Sequence, residues 1–364
     1  MSSEQPREVR VESRRVLLRR GVASLAVAGT AGLAVAPARW VAAQSTPAGG
    51  GEPLRVALVL HGTLGDRSFF DSAAAGIARA EAELGIEADI LEAGLDRACW
   101  QPALADAADG DYDVIIVGTF EMNGFLTEIA PEYPDKRFIL FDDVVDYASG
   151  CCGNVYSIQY RTSDAAYLAG YAAAKVSESK TVGTILGAEG GPILEFATGF
   201  EQGVAAGDPE VEVLQAVANT FADPARGKEL ALAQIQQGAD IVFPIAGGTG
   251  IGALQAARDE SIKAIGVDSD QAALFAESDP AQAAVIMTSV LKNVGQSLFL
   301  ALQGTIDGTT EYGTAVVLGL ADGAVDIAED GPYQELVPEE VRLEVDELRQ
   351  QIIDGDLNVE SAFG

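Results

Sequence analysis

The stretch that most constrains this fold is residues 239–270, ADIVFPIAGGTGIGALQAARDESIKAIGVDSD. An apolar run over 241–245 leads into a glycine-rich turn over 247–250. A helical pattern over 251–260 follows, and a second apolar run over 264–267 ends at Asp268. Strand, turn, helix and strand in this order predict a βαβ unit with parallel strands. Because ligands bind outside the carboxyl ends of such strands, the glycine turn and Asp268 are expected side by side at a pocket.

Residues 1–43 have the pattern of an export signal. SRRVLLR over 13–19 resembles the twin-arginine motif, residues 21–38 are weakly apolar, and Val41-Ala42-Ala43 is a small-x-small cleavage site. The apolar stretch is short and rich in Gly and Ala, which disfavours a permanent membrane span. We expect an exported, periplasmic or cell-surface protein with a signal peptide over 1–43, a flexible linker over 44–53, and no span after cleavage. Retention of the signal as an anchor stays open.

The charge balance argues against two classes of partner. The formal net charge is −32, and after residue 43 the chain carries 16 basic against 52 acidic residues. Such a surface repels phosphate backbones and anionic lipid headgroups, so nucleic-acid binding and peripheral membrane binding are not expected. The simplest interpretation is a solvated acidic shell.

Apolar runs alternate with helical patterns along most of the chain. One series ends near residue 160, and a second begins at residue 181 and includes the βαβ unit above. This alternation predicts an α/β protein with two doubly wound parallel-sheet lobes, which suits a small-molecule binding protein that closes by a hinge. The later predicted elements are a strand over 284–288, a helix over 290–303, a strand over 314–320 and an acidic helix over 338–352.

Few residues are suited to catalysis or metal binding. The single histidine, His61, rules out a His-rich metal site, and no CxxC, P-loop or nucleophile elbow is present. We therefore expect no catalytic residue, no metal and no cofactor. Of the cysteines at 99, 151 and 152, adjacent ones rarely bridge each other. A bridge from Cys99 to one of the pair, or free thiols, are both open.

One enzymatic alternative rests on the glycine turn. Gly248 to Ala253 fits G-x-G-x-x-A between a strand and a helix, and Asp268 follows Gly250 at the spacing of a dinucleotide site. The alternative is an exported NAD(P)-dependent oxidoreductase. Against it, the fingerprint lies in the second half of the chain and no catalytic set accompanies it. The plainer interpretation of these glycines is a tight turn with close helix packing.

Several short motifs, in order, resemble the basic membrane protein family of ABC-transporter substrate-binding proteins, which includes bacterial purine nucleoside receptors. The resemblance spans about residues 54–356. The motifs are GDRSF (65–69), YLAGYAAAK (167–175), FATGFEQGV (196–204), DPARGKELA (223–231), GADIVFPIAGGTGIG (238–252), AIGVDSDQ (264–271) and TSVLKNV (288–294).

The resemblance implies a type I periplasmic-binding-protein fold, with a hinge of three crossovers between the lobes. Lobe 1 would hold residues 54–160 and about 288–313, and lobe 2 would hold 161–287 and about 314–364. It also implies ligand capture for the membrane permease of an ABC importer, without catalysis.

The resemblance also implies ligand-binding residues. Phe69 would stack on the ring of the ligand, because its face is flat and apolar. Asp142 would accept hydrogen bonds from the base or sugar. Asp268 would hold the ribose hydroxyls through charge-assisted hydrogen bonds, and Lys292 would complete that polar end.

Three further residues would form the pocket wall. Gly247 and Gly248 would let the backbone approach the ligand, since neither carries a Cβ. Phe221 would supply a second aromatic wall. Plainer roles in the core, in turns or at the surface stay open for the aromatic and charged candidates.

Three positions depart from the nucleoside-receptor pattern. Leu60 stands where those receptors carry an aspartate that ends the first strand, Gly65 replaces another aspartate, and Phe70 replaces a polar residue. Losing an acceptor and gaining an aromatic ring should weaken recognition of the purine edge. The expected ligand is a nucleoside or related aromatic heterocycle, and its exact identity stays open. A non-transport ligand sensor of the same fold is a further alternative.

Overall fold

The computed structural model describes residues 52–363. The predicted signal peptide over 1–43 and the linker up to residue 51 lie outside the described residues. Within the described part, no helix is both long enough and apolar enough to cross a membrane.

Twelve strands of the described chain form two six-stranded sheets. The strands are β1 Arg55–Leu60, β2 Glu87–Glu92, β3 Val114–Gly118, β4 Arg137–Phe141, β5 Val155–Tyr160, β6 Thr181–Leu186, β7 Glu212–Val217, β8 Ile241–Ile245, β9 Lys263–Asp268, β10 Ile286–Lys292, β11 Thr314–Leu318 and β12 Val325–Ile327. The helices are α1 Phe69–Leu84, α2 Trp100–Asp109, α3 Phe120–Ile129, α4 Thr162–Val176, α5 Gly191–Gly207, α6 Pro224–Gln236, α7 Gly247–Glu260, α8 Gln271–Phe275, α9 Pro280–Ala283, α10 Val294–Asp307, α11 Pro332–Leu336 and α12 Glu339–Asp354.

The first sheet has the order β11-β5-β4-β3-β1-β2, and all of its pairs are parallel. The second has the order β12-β10-β9-β8-β6-β7, and only β12 runs antiparallel to its neighbour. Central strands such as β3 and β8 are buried throughout, because helices cover both faces of a parallel sheet. In each sheet the strand order reverses beside the first strand of the lobe, between β1 and β3 and between β6 and β8. Crevices at such reversals bind ligands in doubly wound folds.

The chain crosses between the lobes three times: after β5, between β10 and α10, and between β11 and β12. The expected boundaries near 288 and 314 need correction. β10 pairs with β9, so the chain leaves lobe 2 only after Lys292. β11 pairs with β5, so the chain returns to lobe 2 only after Leu318. Apolar patterning locates strands but does not indicate which sheet edge they join.

The predicted strand over 284–288 and helix over 290–303 lie too early in the chain. The strand runs to Lys292 and the helix begins at Val294. Thr288 and Ser289 are buried inside β10, and the Thr288 hydroxyl donates to the carbonyl of Ala328. Two polar residues inside a buried strand interrupt its apolar pattern, which explains the misplacement.

The cysteines also differ from expectation. Cys151 and Cys152 form a disulfide with each other, and Cys99 is exposed and free. Cys152 adopts a positive φ of 67° in the loop before β5, a backbone conformation that the sequence does not reveal.

Candidate functional site

A cavity of about 580 Å³ lies between the two lobes, at the carboxyl ends of both parallel sheets. This volume is ordinary for a small-molecule site. The structure brings all of the ligand-binding residues implied by the resemblance to its wall. They are Phe69, Asp142, Phe221, Gly247, Gly248, Asp268 and Lys292. Their contact with a ligand stays a prediction.

Three charged side chains meet at one end of the cavity, which we call the ion-pair end: Asp142, Asp268 and Lys292. The Lys292 Nζ lies 2.8 Å from Asp142 Oδ2 and 3.4 Å from Asp268 Oδ1. Asp142 follows β4 of lobe 1, whereas Asp268 and Lys292 end β9 and β10 of lobe 2. All three are less than one-tenth exposed. The cluster therefore joins the lobes through buried charges, which are tolerated only when paired.

Burial and the attraction between opposite charges act against each other at the ion-pair end. Burial raises the pKa of Asp142 to about 6, against the opposing effect of the Lys292 charge. Burial lowers the pKa of Lys292, but Asp142 and Asp268 outweigh it, and the pKa stands above its usual value. At neutral pH Lys292 is therefore charged and Asp142 ionised.

Asp268 retains capacity to accept a hydrogen bond. Its Oδ2 accepts from the Ser68 hydroxyl at 2.6 Å. Its Oδ1 is buried and has no hydrogen-bond partner within the described chain, because Lys292 approaches it as an ion pair without hydrogen-bond alignment. Asp142 and Asp268 both adopt positive φ, at 66° and 61°. Such conformations are uncommon outside glycine and concentrate at functional sites.

Phe69 lies beside the ion-pair end. As the first residue of α1, it stacks on Phe141 with ring centroids 5.2 Å apart. The Lys292 Nζ lies 4.7 Å from the Phe69 centroid and 5.0 Å from that of Phe196. A planar ligand entering here would meet both an aromatic ring and a buried cation with its counterions.

The glycine turn forms the lobe 2 wall. The helix begins at Gly247, four residues before the predicted start, and Gly247 has a φ of 50°. The Thr249 N–H donates to the Phe221 carbonyl at 3.0 Å, which holds the Phe221 loop over the turn. The Phe221 ring packs on Gly187, where a Cβ would collide with it. The turn and Phe221 therefore lie together, as a single wall.

The glycines of the dinucleotide-like fingerprint serve helix packing. Gly248 to Gly252 lie within α7 rather than in a loop before it. A Cβ at Gly252 would collide with the backbone of Pro224 at the start of α6. Close approach of two helices explains the small residues, which agrees with the plainer interpretation of the motif.

A second polar group lines the cavity, and sequence reasoning missed it. His61 follows β1, Thr119 follows β3, and Glu121 lies in the first turn of α3; we call these three residues the histidine end. The His61 Nε2 lies 3.3 Å from Glu121 Oε2 and 3.4 Å from Thr119 Oγ1. The rule that places ligands at strand ends could have indicated these positions, but their proximity depends on β1 pairing with β3.

The three departures from the nucleoside-receptor pattern have different positions. Leu60 is fully buried in β1, whereas Gly65 and Phe70 line the cavity. Beside them, the carboxylate of Asp66 accepts from the N–H groups of Ser68, Phe70 and Asp71 at the start of α1. Burial raises the pKa of Asp66 to about 6, although these backbone donors oppose it. The GDRSF motif therefore caps α1 as well as lining the cleft.

Metal binding finds no support in the geometry. Across residues 52–363, no group of three or more His, Cys, Asp and Glu side chains is arranged to hold a metal ion.

Comparison with known proteins identifies the family. Residues 54–359 match the family model described as ABC transporter substrate-binding protein PnrA-like. The ABC transporter nucleoside-binding protein BmpA of Lactococcus lactis is 31% identical over 252 residues, covering 66% of this chain and 69% of its own. A CD4+ T-cell-stimulating antigen of Listeria innocua is 29% identical over 311 residues, covering 82% and 85%.

Solved structures agree on the fold. A solute-binding protein of an ABC transporter system from Aeropyrum pernix superposes with a TM-score of 0.74 at 26% identity, covering 84% of this chain and 93% of that chain. A Caulobacter myo-inositol binding protein superposes with a TM-score of 0.60 at 18% identity, covering 80% and 97%, which shows the fold alone. The expected type I periplasmic-binding-protein fold is confirmed, and the oxidoreductase alternative gains no support. The chain belongs to the PnrA-like family of ABC transporter substrate-binding proteins.

Proposed function

We propose that this protein is an exported receptor that captures a nucleoside or related aromatic heterocycle between its lobes and delivers it to the membrane permease of an ABC importer. The family supplies the general role of substrate binding for an ABC transporter. The nucleoside is the finer part of the proposal, supported by the similarity to the nucleoside-binding protein BmpA of Lactococcus lactis.

The ion-pair end is the observation that carries this proposal. Its buried charges come from both lobes, so a ligand that bonds to Asp142 and Asp268 stabilises the closed arrangement. The Oδ1 of Asp268, which is ion-paired with Lys292 but has no hydrogen-bond partner within the described chain, suits a hydroxyl donor. Charge-assisted hydrogen bonds are the stronger class. Phe69 adds a ring for stacking beside these acceptors. A sugar hydroxyl joined to a flat heterocycle combines both requirements.

A thermal-shift screen of the purified protein tests the ligand class. The panel contains nucleosides, free nucleobases, sugars, amino acids and dinucleotides. A ligand that binds only the folded state stabilises it by about 2.7 kcal/mol at a hundredfold excess over Kd, so a nucleoside should raise the melting temperature. Asp268→Asn should reduce the shift, and the exposed Asp330→Asn should retain it. A shift with sugars or amino acids only would overturn the nucleoside proposal.

Export and delivery need separate tests. Replacing Arg14 and Arg15 together by lysine should retain the protein inside the cell if the twin-arginine motif is used. Intact mass of the exported wild-type chain would give the cleavage site. Loss of ligand uptake when the gene is deleted separates a transport receptor from a sensor that binds the same ligand.

A further inference from the structure

The histidine end lies in lobe 1, where the strand order reverses between β1 and β3 and where doubly wound folds bind ligands. In the order β4-β3-β1, Asp142 follows the first strand, Thr119 the second and His61 the third. The backbones of neighbouring strands are about 4.8 Å apart. The backbones of His61 and Asp142, which follow strands two positions apart, are therefore separated by roughly 10 Å. The cavity therefore has two polar ends, separated by a distance comparable to the length of a nucleoside from its sugar hydroxyls to the far edge of its base.

His61 is held in one orientation. Its side chain is about 5% exposed, and its ring meets the edges or faces of Phe70 and Trp100 with centroids 5.1 Å away in both cases. The indole N–H of Trp100 donates to the Gly94 carbonyl at 2.8 Å, which anchors that side of the packing. The His61 Nδ1 is buried without a hydrogen-bond partner in the described chain. Only Nε2 is therefore in position to donate, toward Glu121 and Thr119.

The contact with His61 orients the Glu121 carboxylate without occupying all of its acceptor sites. Its Oε2 is the atom near His61, and its side chain is 24% exposed where it lines the cavity. The carboxylate has no other side-chain or backbone donor within residues 52–363. An ionised carboxylate accepts hydrogen bonds only and has about four lone-pair sites, so most of its capacity to accept them is unoccupied within the described residues.

The position of Glu121 bears on the aspartate that is missing at position 60. Leu60 removes an acceptor from the end of β1, but the adjacent strand end supplies another through Glu121. Phe70 and Phe120 also line the cavity, and the Phe70 ring packs against His61, the partner of Glu121. Such a site favours a ligand whose heterocycle presents N–H donors to the carboxylate. It disfavours a ligand whose ring edge has only acceptors, because the lone pairs of that edge would face those of the carboxylate.

We infer that Glu121 is a specificity-determining residue that accepts hydrogen bonds from an N–H-bearing edge of the ligand's heterocycle, with His61 as its positioning residue. This inference rests on the proposed function, and it names the class of base within it. The preferred ligands carry ring N–H or amino donors at the far edge, as guanosine does. Purine riboside, which has only ring acceptors there, binds more weakly.

Isothermal titration of the purified protein with guanosine, inosine and purine riboside tests this inference. Wild type should bind guanosine and inosine more tightly than purine riboside. Glu121→Gln should weaken guanosine binding about 10- to 100-fold, as expected for a hydrogen bond to a charged group, and leave purine riboside within about twofold. Glu347→Gln, an exposed glutamate of α12, is the matched control and should change neither ligand.

The role of His61 needs a readout that general destabilisation does not produce. His61→Phe should reduce the ratio of guanosine to purine riboside affinity, and adding it to Glu121→Gln should lower that ratio no further, because both act through one carboxylate. Equal losses for all three nucleosides, or an unchanged ratio in Glu121→Gln, would overturn the inference while leaving the receptor proposal intact. Failure of wild type to bind any nucleoside would overturn both.

Discussion

The two polar ends of the cleft are built differently. At the ion-pair end, Lys292 neutralises carboxylates from both lobes, and its three side chains are nearly inaccessible. At the histidine end, His61, Thr119 and Glu121 all come from lobe 1, and Glu121 stays partly exposed. The ion-pair end therefore contributes to the stability of the closed protein as well as to ligand binding, whereas the histidine end can change without separating the lobes. A substitution at the histidine end should therefore alter ligand preference with less loss of stability than one at the ion-pair end.

Removing the Lys292 charge should give the largest effect. Lys292→Met preserves much of the volume but leaves two buried carboxylates without a counterion. Breaking one partner of a buried pair costs about 3–5 kcal/mol, so we expect a loss of this size in the free energy of unfolding and loss of ligand binding. Denaturant unfolding and titration calorimetry measure the two effects.

The control for this change is a lysine at the surface. Lys228 pairs with Asp259, and its side chain is 40% exposed. Lys228→Met should cost less than about 1 kcal/mol, because exposed ion pairs contribute little. Similar losses for both variants would contradict the distinction between a buried structural cluster and ordinary surface charge.

Pairs of substitutions sharpen the comparison between the ends. Asp142→Asn and Lys292→Met remove partners of one ion pair, so their effects on unfolding free energy should be non-additive by about 1–3 kcal/mol. Asp268→Asn and Glu121→Gln lie in different lobes and share no partner. Their effects on guanosine binding should add to within about 0.5 kcal/mol. Strong coupling in the second pair would mean that the two ends do not act independently.

Much of the fold is predictable because parallel strands buried on both faces appear as continuous apolar runs. The apolar run over 241–245 predicts β8, and the run over 264–267 predicts β9. What could not be predicted is the pairing of β11 with β5, since either sheet offers a suitable edge. The predicted strand over 284–288 lies earlier in the chain than β10, because Thr288 and Ser289 occupy buried positions inside β10 and interrupt its apolar pattern.

The site residues also divide into those that the sequence predicts and those that depend on strand pairing. The βαβ pattern alone placed Asp268 and the glycine turn at the cleft, and the family resemblance added Phe69, Asp142 and Lys292. His61 and Glu121 lie 60 residues apart in the chain, and their contact depends on the pairing of β1 with β3. Sequence patterning gave no strand order, so this contact could not be inferred.

The buried carboxylate at the ion-pair end predicts a pH dependence of stability. The pKa of Asp142 is raised to about 6, above its ordinary value of 3.8, mainly by burial, while Lys292 lowers it and Asp268 and Asp143 raise it. The folded state therefore holds the proton more tightly than the unfolded state. The resulting stability is fully present below about pH 4 and is lost as the pH rises through about 6. We expect the ligand-free protein to unfold at higher denaturant concentration at pH 5.5 than at pH 8.

The pKa of Asp66 is also raised, so Asp66 contributes to the pH dependence of stability in the same direction. Lower pH also reduces repulsion among the many acidic groups of the chain. A variant is therefore needed to isolate the contribution of Asp142. Asp142→Asn should reduce the difference in unfolding free energy between pH 5.5 and pH 8. Asp330→Asn, which removes an exposed carboxylate, should leave the difference close to that of wild type. An unchanged difference in Asp142→Asn would mean that this buried carboxylate does not contribute to the pH dependence.

The smallest expected effect concerns a contact across the cleft rim. The Arg67 guanidinium lies 4.7 Å from the Phe275 centroid and donates to the Ser278 hydroxyl at 3.1 Å, which links the loop before α1 to the region of α8 in lobe 2. A partly exposed cation–π contact contributes about 0.5–1 kcal/mol. Arg67→Gln should therefore weaken ligand binding about two- to fivefold, mainly through faster dissociation, because the closed state loses a contact that the open state lacks. Arg79→Gln removes a similar contact with Phe299 inside lobe 1 and should leave the dissociation rate unchanged. Stopped-flow dissociation measures both, and equal rates for the two variants would show that Arg67 does not hold the lobes together.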